Sequence, residues 1–390
     1  MQYSDSLSNL GTESAFEVLA YARKLEAQGK SIIHLEIGEP DFDTPKNISE
    51  AAIKAIRDGH THYCPSAGLP AAREVVAEYI SKTRNVKVNS ERAVIMPGAK
   101  PVIFCSIMAT INPGDEVIVP DPGYPTYESV VNFLGAKPVL MHLREENGFR
   151  FSTDELKKLV TPKTKMIVIN SPQNPTGGVL TAKDLETIYQ LAVDNNLWVL
   201  TDEIYSRIIY GQQFESIASI PGALDRTIVI DGMSKTYSMT GWRLGYAIVP
   251  LRLAEYLTQI AINNFSCTAT FAQYALMEAL TGPQGHVDLM VAEFQRRRDV
   301  IVEGLNRIEG ISCLTPLGAF YAFANVTRTG MTSAEFASMA MDQAGVSCLA
   351  GTAFGKYGEG YVRFSYANSV ENIKDAISRL QKALAGAKLV

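Results

Sequence analysis

Lys165-Met166-Ile167-Val168-Ile169, followed by Asn170-Ser171-Pro172-Gln173-Asn174-Pro175-Thr176-Gly177-Gly178, decides the class of fold. The run is apolar on both faces, which predicts a strand covered on both sides, as in mostly parallel sheets. The proline- and glycine-rich segment behind it predicts a rigid loop at the strand's carboxyl end. Working outward, short apolar strands are predicted at Ala93–Met96, Glu116–Val119, Lys137–Met141, Leu197–Leu200, Thr227–Ile230 and Leu244–Val249. Helical patterns lie between most of them, among them Pro101–Ile111, Thr153–Val160 and Thr181–Asn195. Seven strands alternating with helices make an α/β unit around a mostly parallel seven-stranded sheet. Leu244–Val249 follows its predecessor too closely for a crossover helix, which leaves it free to run antiparallel.

The two ends of the chain read differently. A helical pattern from Glu13 to Gln28 is closed by Gly29, and a strand from Ile32 to Ile37 leads into the turn Gly38-Glu39-Pro40. Beyond about Pro283 a long charged helix, Val287–Ile308, precedes isolated elements at Ala319–Ala324, Ser333–Gln343, Val346–Leu349, Tyr361–Tyr366 and Val370–Leu384. The expected division is a large α/β domain over 46–282 and a smaller α+β domain from 1–45 and 283–390.

Composition is that of a soluble globular protein, 46% hydrophobic and 20% charged over 390 residues. A formal net charge of -5, with no long Lys/Arg run, argues against nucleic acid. The start MQYSDSLSNL lacks the basic and apolar regions of a signal peptide, and no apolar run is long enough for a bilayer, so a cytoplasmic protein is expected. Five scattered cysteines without a C-x-x-C pair read as reduced thiols. Only His60 and His62 lie close together, which is poor metal spacing. No metal is expected, so chemistry must come from an organic cofactor.

In an open parallel sheet ligands bind beyond the carboxyl ends of the strands. After Ala93–Met96 come Pro97-Gly98-Ala99-Lys100 and a helix start, the makings of an anion cup. The other strand ends bring Asn174, then Asp202 with Tyr205, then Ser234-Lys235 with Arg243 eight residues on. Taken singly, Asp202 also fits a helix N-cap, Lys235 a solvated lysine, Asn174 a turn former and Arg243 an ion pair. Converging at one sheet edge, they point to a site.

The segments SPQNPTGG, TDEIYS, SKTYSMTGWRLGY and GEGYVRFSYANS, with GEPDFDTP and HYCPSAGLPAAR upstream, cover nearly the whole chain. Together they resemble the class I aminotransferases, the fold-type-I pyridoxal-phosphate enzymes, and within them the prokaryotic aspartate and aromatic aminotransferases. The resemblance implies pyridoxal 5'-phosphate carried as a Schiff base on Lys235, and Asp202 as partner of the pyridine nitrogen. It makes Tyr205 and Asn174 donors to the phenolic oxygen, and Tyr124, in PDPGYPTY, a ring stacked on the cofactor. Ala99, Lys100, Ser234 and Arg243 fall where the family binds phosphate, and Tyr63 matches a tyrosine reaching the phosphate of a partner subunit in a homodimer. Arg363 takes the substrate α-carboxylate, for which a structural salt bridge is the alternative, and Gly38 lies over the substrate. Transamination in two half-reactions, with 2-oxoglutarate as acceptor and ping-pong kinetics, is the implied activity. Aspartate, aromatic and alanine-like donors stay open, because Lys100 suits a distal carboxylate whereas Glu13 sets a negative charge near that pocket. A lyase, decarboxylase or oxidase would keep the same cofactor residues. A non-enzymatic regulator would normally carry a DNA-binding extension before the first helix, which this sequence lacks.

Overall fold

The computed structural model describes residues 3–387, so the outermost residues of the expected small domain lie outside the described part. In chain order the strands are Ile33–His34 (β1), Ala93–Met96 (β2), Glu116–Asp121 (β3), Lys137–His142 (β4), Thr164–Asn170 (β5), Trp198–Asp202 (β6), Thr227–Gly232 (β7), Gly245–Ile248 (β8), Ser312–Cys313 (β9), Tyr321–Asn325 (β10), Val346–Ser347 (β11), Leu349–Ala350 (β12) and Tyr361–Ser365 (β13). Seven of them form one sheet in the order β2-β8-β7-β6-β5-β3-β4. All neighbours in it are parallel except β8, which runs antiparallel to both β2 and β7. A four-stranded antiparallel sheet, β12-β13-β10-β9, is built from the last third of the chain, and β1 pairs with β11 as a separate parallel ladder.

Burial on both faces of the large sheet follows from the pleat, since successive side chains point to opposite sides. Val94 and Met96 of β2 join one core cluster with the helix Ala99–Thr110, whereas Ala93 and Ile95 join another with helices Pro70–Thr83 and Thr270–Thr281. The helix Ala182–Asp194 starts where its sequence says it should. Thr181 and Asp184 exchange side-chain to backbone hydrogen bonds as a capping box.

Four elements depart from the sequence expectation, one of them Val346–Leu349, which splits at Cys348 into β11 and β12 so that it joins two different sheets. The strand over 32–37 is only β1, because the backbone leaves the ladder for the site, where the carbonyl of Glu36 accepts from Arg363 and that of Gly38 from Lys235. The strand expected from Ala319 begins at Tyr321, since Ala319 sits at φ +57°, outside extended geometry. The long helix spans Gly285–Asn306 rather than running to Ile308. Asn306 ends it by bonding with its side chain to both backbone groups of Cys313. Among the described residues no helix is long and apolar enough to cross a membrane, and no cluster of acidic, Cys or His residues could hold a metal.

Candidate active site

A cavity of about 500 Å³ opens beyond the carboxyl ends of the parallel strands, between the large sheet, the four-stranded sheet and the start of the first helix. Glycine makes the anion cup possible. Gly98, at φ +110°, turns the chain from β2 into the helix Ala99–Thr110, and any Cβ there would lie 2.5 Å from the Arg243 guanidinium. Gly245 allows equally close approach, for its Cβ would sit 2.4 Å from the amide nitrogen of Ala99. Arg243 is itself held at φ +55°, with Nη1 donating to the carbonyl of Thr240 at 2.8 Å. The cup is thus a helix N-terminus faced by a guanidinium, with Ser234 on the same wall.

Deeper in, Asp202 ends β6 and is buried. Tyr127 donates to one of its oxygens at 2.7 Å, and the other takes only the amide of Ile204 at 3.2 Å. Burial therefore lifts this carboxyl to about 6, against the pull of those donors. Lys235 is enclosed by protein and keeps accessible surface toward the cavity. Desolvation, with Arg363 and Arg243 nearby, lowers its ammonium to about 8. Tyr205 and Tyr321 share a hydrogen bond of 2.7 Å between hydroxyls, and burial raises both phenols.

Arg363 of β13 is 4% exposed and lies between aromatic rings, 4.3 Å from the centre of Tyr321 and 4.7 Å from that of Phe354. It donates to Asn174 Oδ1 at 2.9 Å and to the carbonyl of Glu36, while Nε is buried without a partner among the described residues. None of Lys235, Arg243 and Arg363 forms an ion pair among the described residues. Arg363 is buried, Lys235 half-buried and Arg243 exposed on the cavity rim, and with no ion pair among the described residues they leave a cavity that calls for anions. Lys100 differs. It is paired with Glu13, which also accepts from the Tyr124 hydroxyl. Burial pushes the Glu13 carboxyl up, but those hydrogen bonds outweigh it and hold the group below its ordinary value.

The fold brings together Glu13, Gly38, Ala99, Lys100, Tyr124 and Asn174 with Asp202, Tyr205, Ser234, Lys235, Arg243 and Arg363 on one cavity wall or another. Gly38 is required by Tyr321, whose hydroxyl would lie 2.1 Å from a Cβ. Tyr63 is the expected residue left out, 86% exposed and off the cavity of its own chain. Sequence reading missed Tyr127, although it lies one helical turn after Tyr124 in a segment already singled out. It also missed Tyr321 and Phe354, and the buried Arg84, which bonds Glu203 and Asp231 at 2.8 Å each and so ties the ends of β6 and β7 together. A tyrosine inside an apolar strand was the available signal for Tyr321, since its hydroxyl needs a partner.

The donor set fits pyridoxal 5'-phosphate, with an anion cup, an amine that forms no ion pair among the described residues and a buried acid short of donors on one cavity. The family model for aminotransferase class I and II matches residues 30–380. An aspartate aminotransferase of Pyrococcus abyssi is 43% identical over 364 residues, covering 92% of this chain and 93% of its own. An aromatic-amino-acid aminotransferase of Thermococcus litoralis is 40% identical over the full length of both chains. The structure of the Thermus thermophilus aspartate aminotransferase with maleate superposes with a TM-score of 0.95 at 34% identity, covering 98% of this chain and 100% of that one.

Proposed function

The chain belongs to the class I and II aminotransferases and is a pyridoxal 5'-phosphate-dependent transaminase acting on amino acids and 2-oxo acids, and from that premise we propose which side chains work and which amino acids enter. The three cations of the cavity that form no ion pair among the described residues carry the reading. Arg243, with Ser234 and the Ala99 amide, holds the phosphate, and Lys100 lies beside that cup. Lys235 anchors the cofactor, and Arg363 takes the α-carboxylate of every substrate through its planar fork.

Bound here, the cofactor supplies an electron sink for the charge left at Cα when its proton departs. With its ammonium lowered to about 8, Lys235 has a substantial neutral fraction near pH 7.5 and can take that proton on Nζ and return it. Asp202, oriented by Tyr127, would hold the ring nitrogen of the bound cofactor, Tyr205 and Asn174 would serve its phenolic oxygen, and Tyr124 would give the ring an aromatic wall. The backbone of Gly38 lies over the substrate. Tyr63 completes the phosphate site of a partner subunit, which makes the working unit a symmetric homodimer. Both half-reactions share this pocket, hence ping-pong kinetics. The large domain over 46–282, the small one from 1–45 and 283–390, and a cytoplasmic location belong to the same reading.

Phe16, Ile37, Leu349 and Phe354 give the cavity apolar walls, and Glu13 occupies the cation that would greet a distal carboxylate. Neutral donors, aromatic above all, are therefore favoured over aspartate. The acceptor 2-oxoglutarate must draw Lys100 away from Glu13. Borohydride reduction of the holoenzyme, followed by peptide mapping, should place the cofactor on the peptide containing Lys235. A label on another lysine refutes the assignment, and stopped-flow mixing with single amino acids ranks the donors. Sedimentation showing a fully active monomer would remove Tyr63 from the site.

A further inference from the structure

Asp121 closes β3 two strands away from Asp202 and is 1% exposed. Its partners belong to the loop that follows β12. Oδ2 accepts from the amide of Lys356 at 2.9 Å and Oδ1 from that of Tyr357 at 3.0 Å. The loop is pressed so close that a Cβ on Gly355, at φ +122°, would lie 2.3 Å from the carboxylate. Next to it the amide of Gly123 donates to the carbonyl of Phe354 at 2.7 Å, and the ring of His142 at the end of β4 stacks on Tyr357 at 3.8 Å. This loop leaves β12, whose Leu349 is in register with Arg363, and Phe354 rides on it above the guanidinium.

We propose that Asp121 is a positioning residue for Arg363, acting by holding residues 355–357 against the end of the large sheet so that Phe354 stays over the guanidinium. The inference rests on the reading that Arg363 binds the α-carboxylate. Arg363 is fixed on one edge by Asn174 and the Glu36 carbonyl and on one face by Tyr321. Phe354, at the end of the short turn Gly351–Phe354, supplies the other face; its ring packs on Phe323 and Leu349, while the Gly123 amide and Asp121 fix the backbone at and just after it. A carboxylate offers two acceptors to two N–H donors. An amide offers one, and sets its own N–H groups against the second donor.

The test uses holoenzyme of D121N, D121E, F354L, R363A and the D121N/F354L pair. D121N should raise KM for phenylalanine and aspartate by the same factor, about 10- to 100-fold, the range of one lost charge-assisted hydrogen bond. It should leave kcat within about threefold and cofactor retention unchanged, because the loop touches neither Lys235 nor the cup. Binding of an unreactive carboxylic acid such as 3-phenylpropionate, followed by calorimetry, should weaken in parallel. F354L should reproduce the loss and the double variant should add little to it, as coupled residues do. D121E, keeping both acceptors, should recover most of it and stands in if D121N does not fold. Additive losses, or D121E and D121N both with unchanged KM, overturn the proposal. If R363A itself leaves KM unchanged, the carboxylate reading falls and takes this inference with it.

Discussion

A single oxygen of Glu13 receives both the Lys100 ammonium and the Tyr124 hydroxyl, and on the proposed reading substrate choice turns on this pair. Glu13 competes inside the protein for the cation that a dicarboxylic substrate needs. The pair is half-exposed on its lysine side, so releasing it costs little, about 0.2–1 kcal/mol. E13Q should therefore raise kcat/KM for aspartate by up to about fivefold, leaving phenylalanine essentially unchanged. K100M should cancel that gain, which steady-state kinetics on the four combinations can read. A uniform change for both substrates would show that Glu13 only supports the helix start. At this scale the sequence was informative where a residue's chemistry is rare in its setting. An arginine among aromatics, a lysine after serine at a strand end and an acid at a pocket rim all drew attention. It was silent on Tyr127, Phe354 and Asp121, because a buried tyrosine, phenylalanine or strand-end aspartate looks the same whether it packs or positions.

The element that makes the anion cup is a strand, one glycine and a helix start, and it depends on a backbone that only glycine adopts with ease. G98A forces a Cβ into φ +110° and within 2.5 Å of Arg243 Nη2. Strain of about 1–3 kcal/mol and a displaced charge-assisted contact should together weaken cofactor binding by at least about tenfold. Equilibrium dialysis of the apo variant measures it, and wild-type affinity would mean that Arg243 is not part of the cup. Elements were well legible where periodicity and caps agree, as for the helix after Thr181 and the runs that became β2 to β8. They failed where the backbone serves the site. β1 stops after His34 because the carbonyls of Glu36 and Gly38 are given to Arg363 and Lys235, and no local pattern announces such a use.

For the whole molecule, Asp202 sets stability against function. Its folded carboxyl stands at about 6, above roughly 3.9 for a free aspartate. The fold thus favours the protonated form, and that contribution is full below about pH 4 and lost as pH rises through about 6. At pH 8 the apo protein carries an ionised, under-solvated acid, so D202N should be the more stable apoprotein by about 1–2 kcal/mol. Near pH 4 the advantage should vanish, and with cofactor bound it should reverse. Urea unfolding of both apoproteins at the two pH values checks this, and a variant less stable at pH 8 would refute it. The overall architecture was legible because the large sheet's strands are apolar on both faces. The stitching of β1 onto β11 was not, since two-residue ladders between the chain's two ends leave no sequence pattern.

The reversed strand β8 has a consequence for how the protein is made. Among the described residues it is the only sheet neighbour of β2, and it leaves the ribosome about 150 residues later. Ala67 and Arg73 can meet one edge of Ala93–Met96 early, but a nascent chain holds the other edge unpaired until Gly245–Ile248 has emerged, and until then Gly98 and Arg243 have no common frame. Cofactor capture must wait for that moment, which makes stalled or truncated chains ending before about residue 248 apo, sticky and dependent on chaperones.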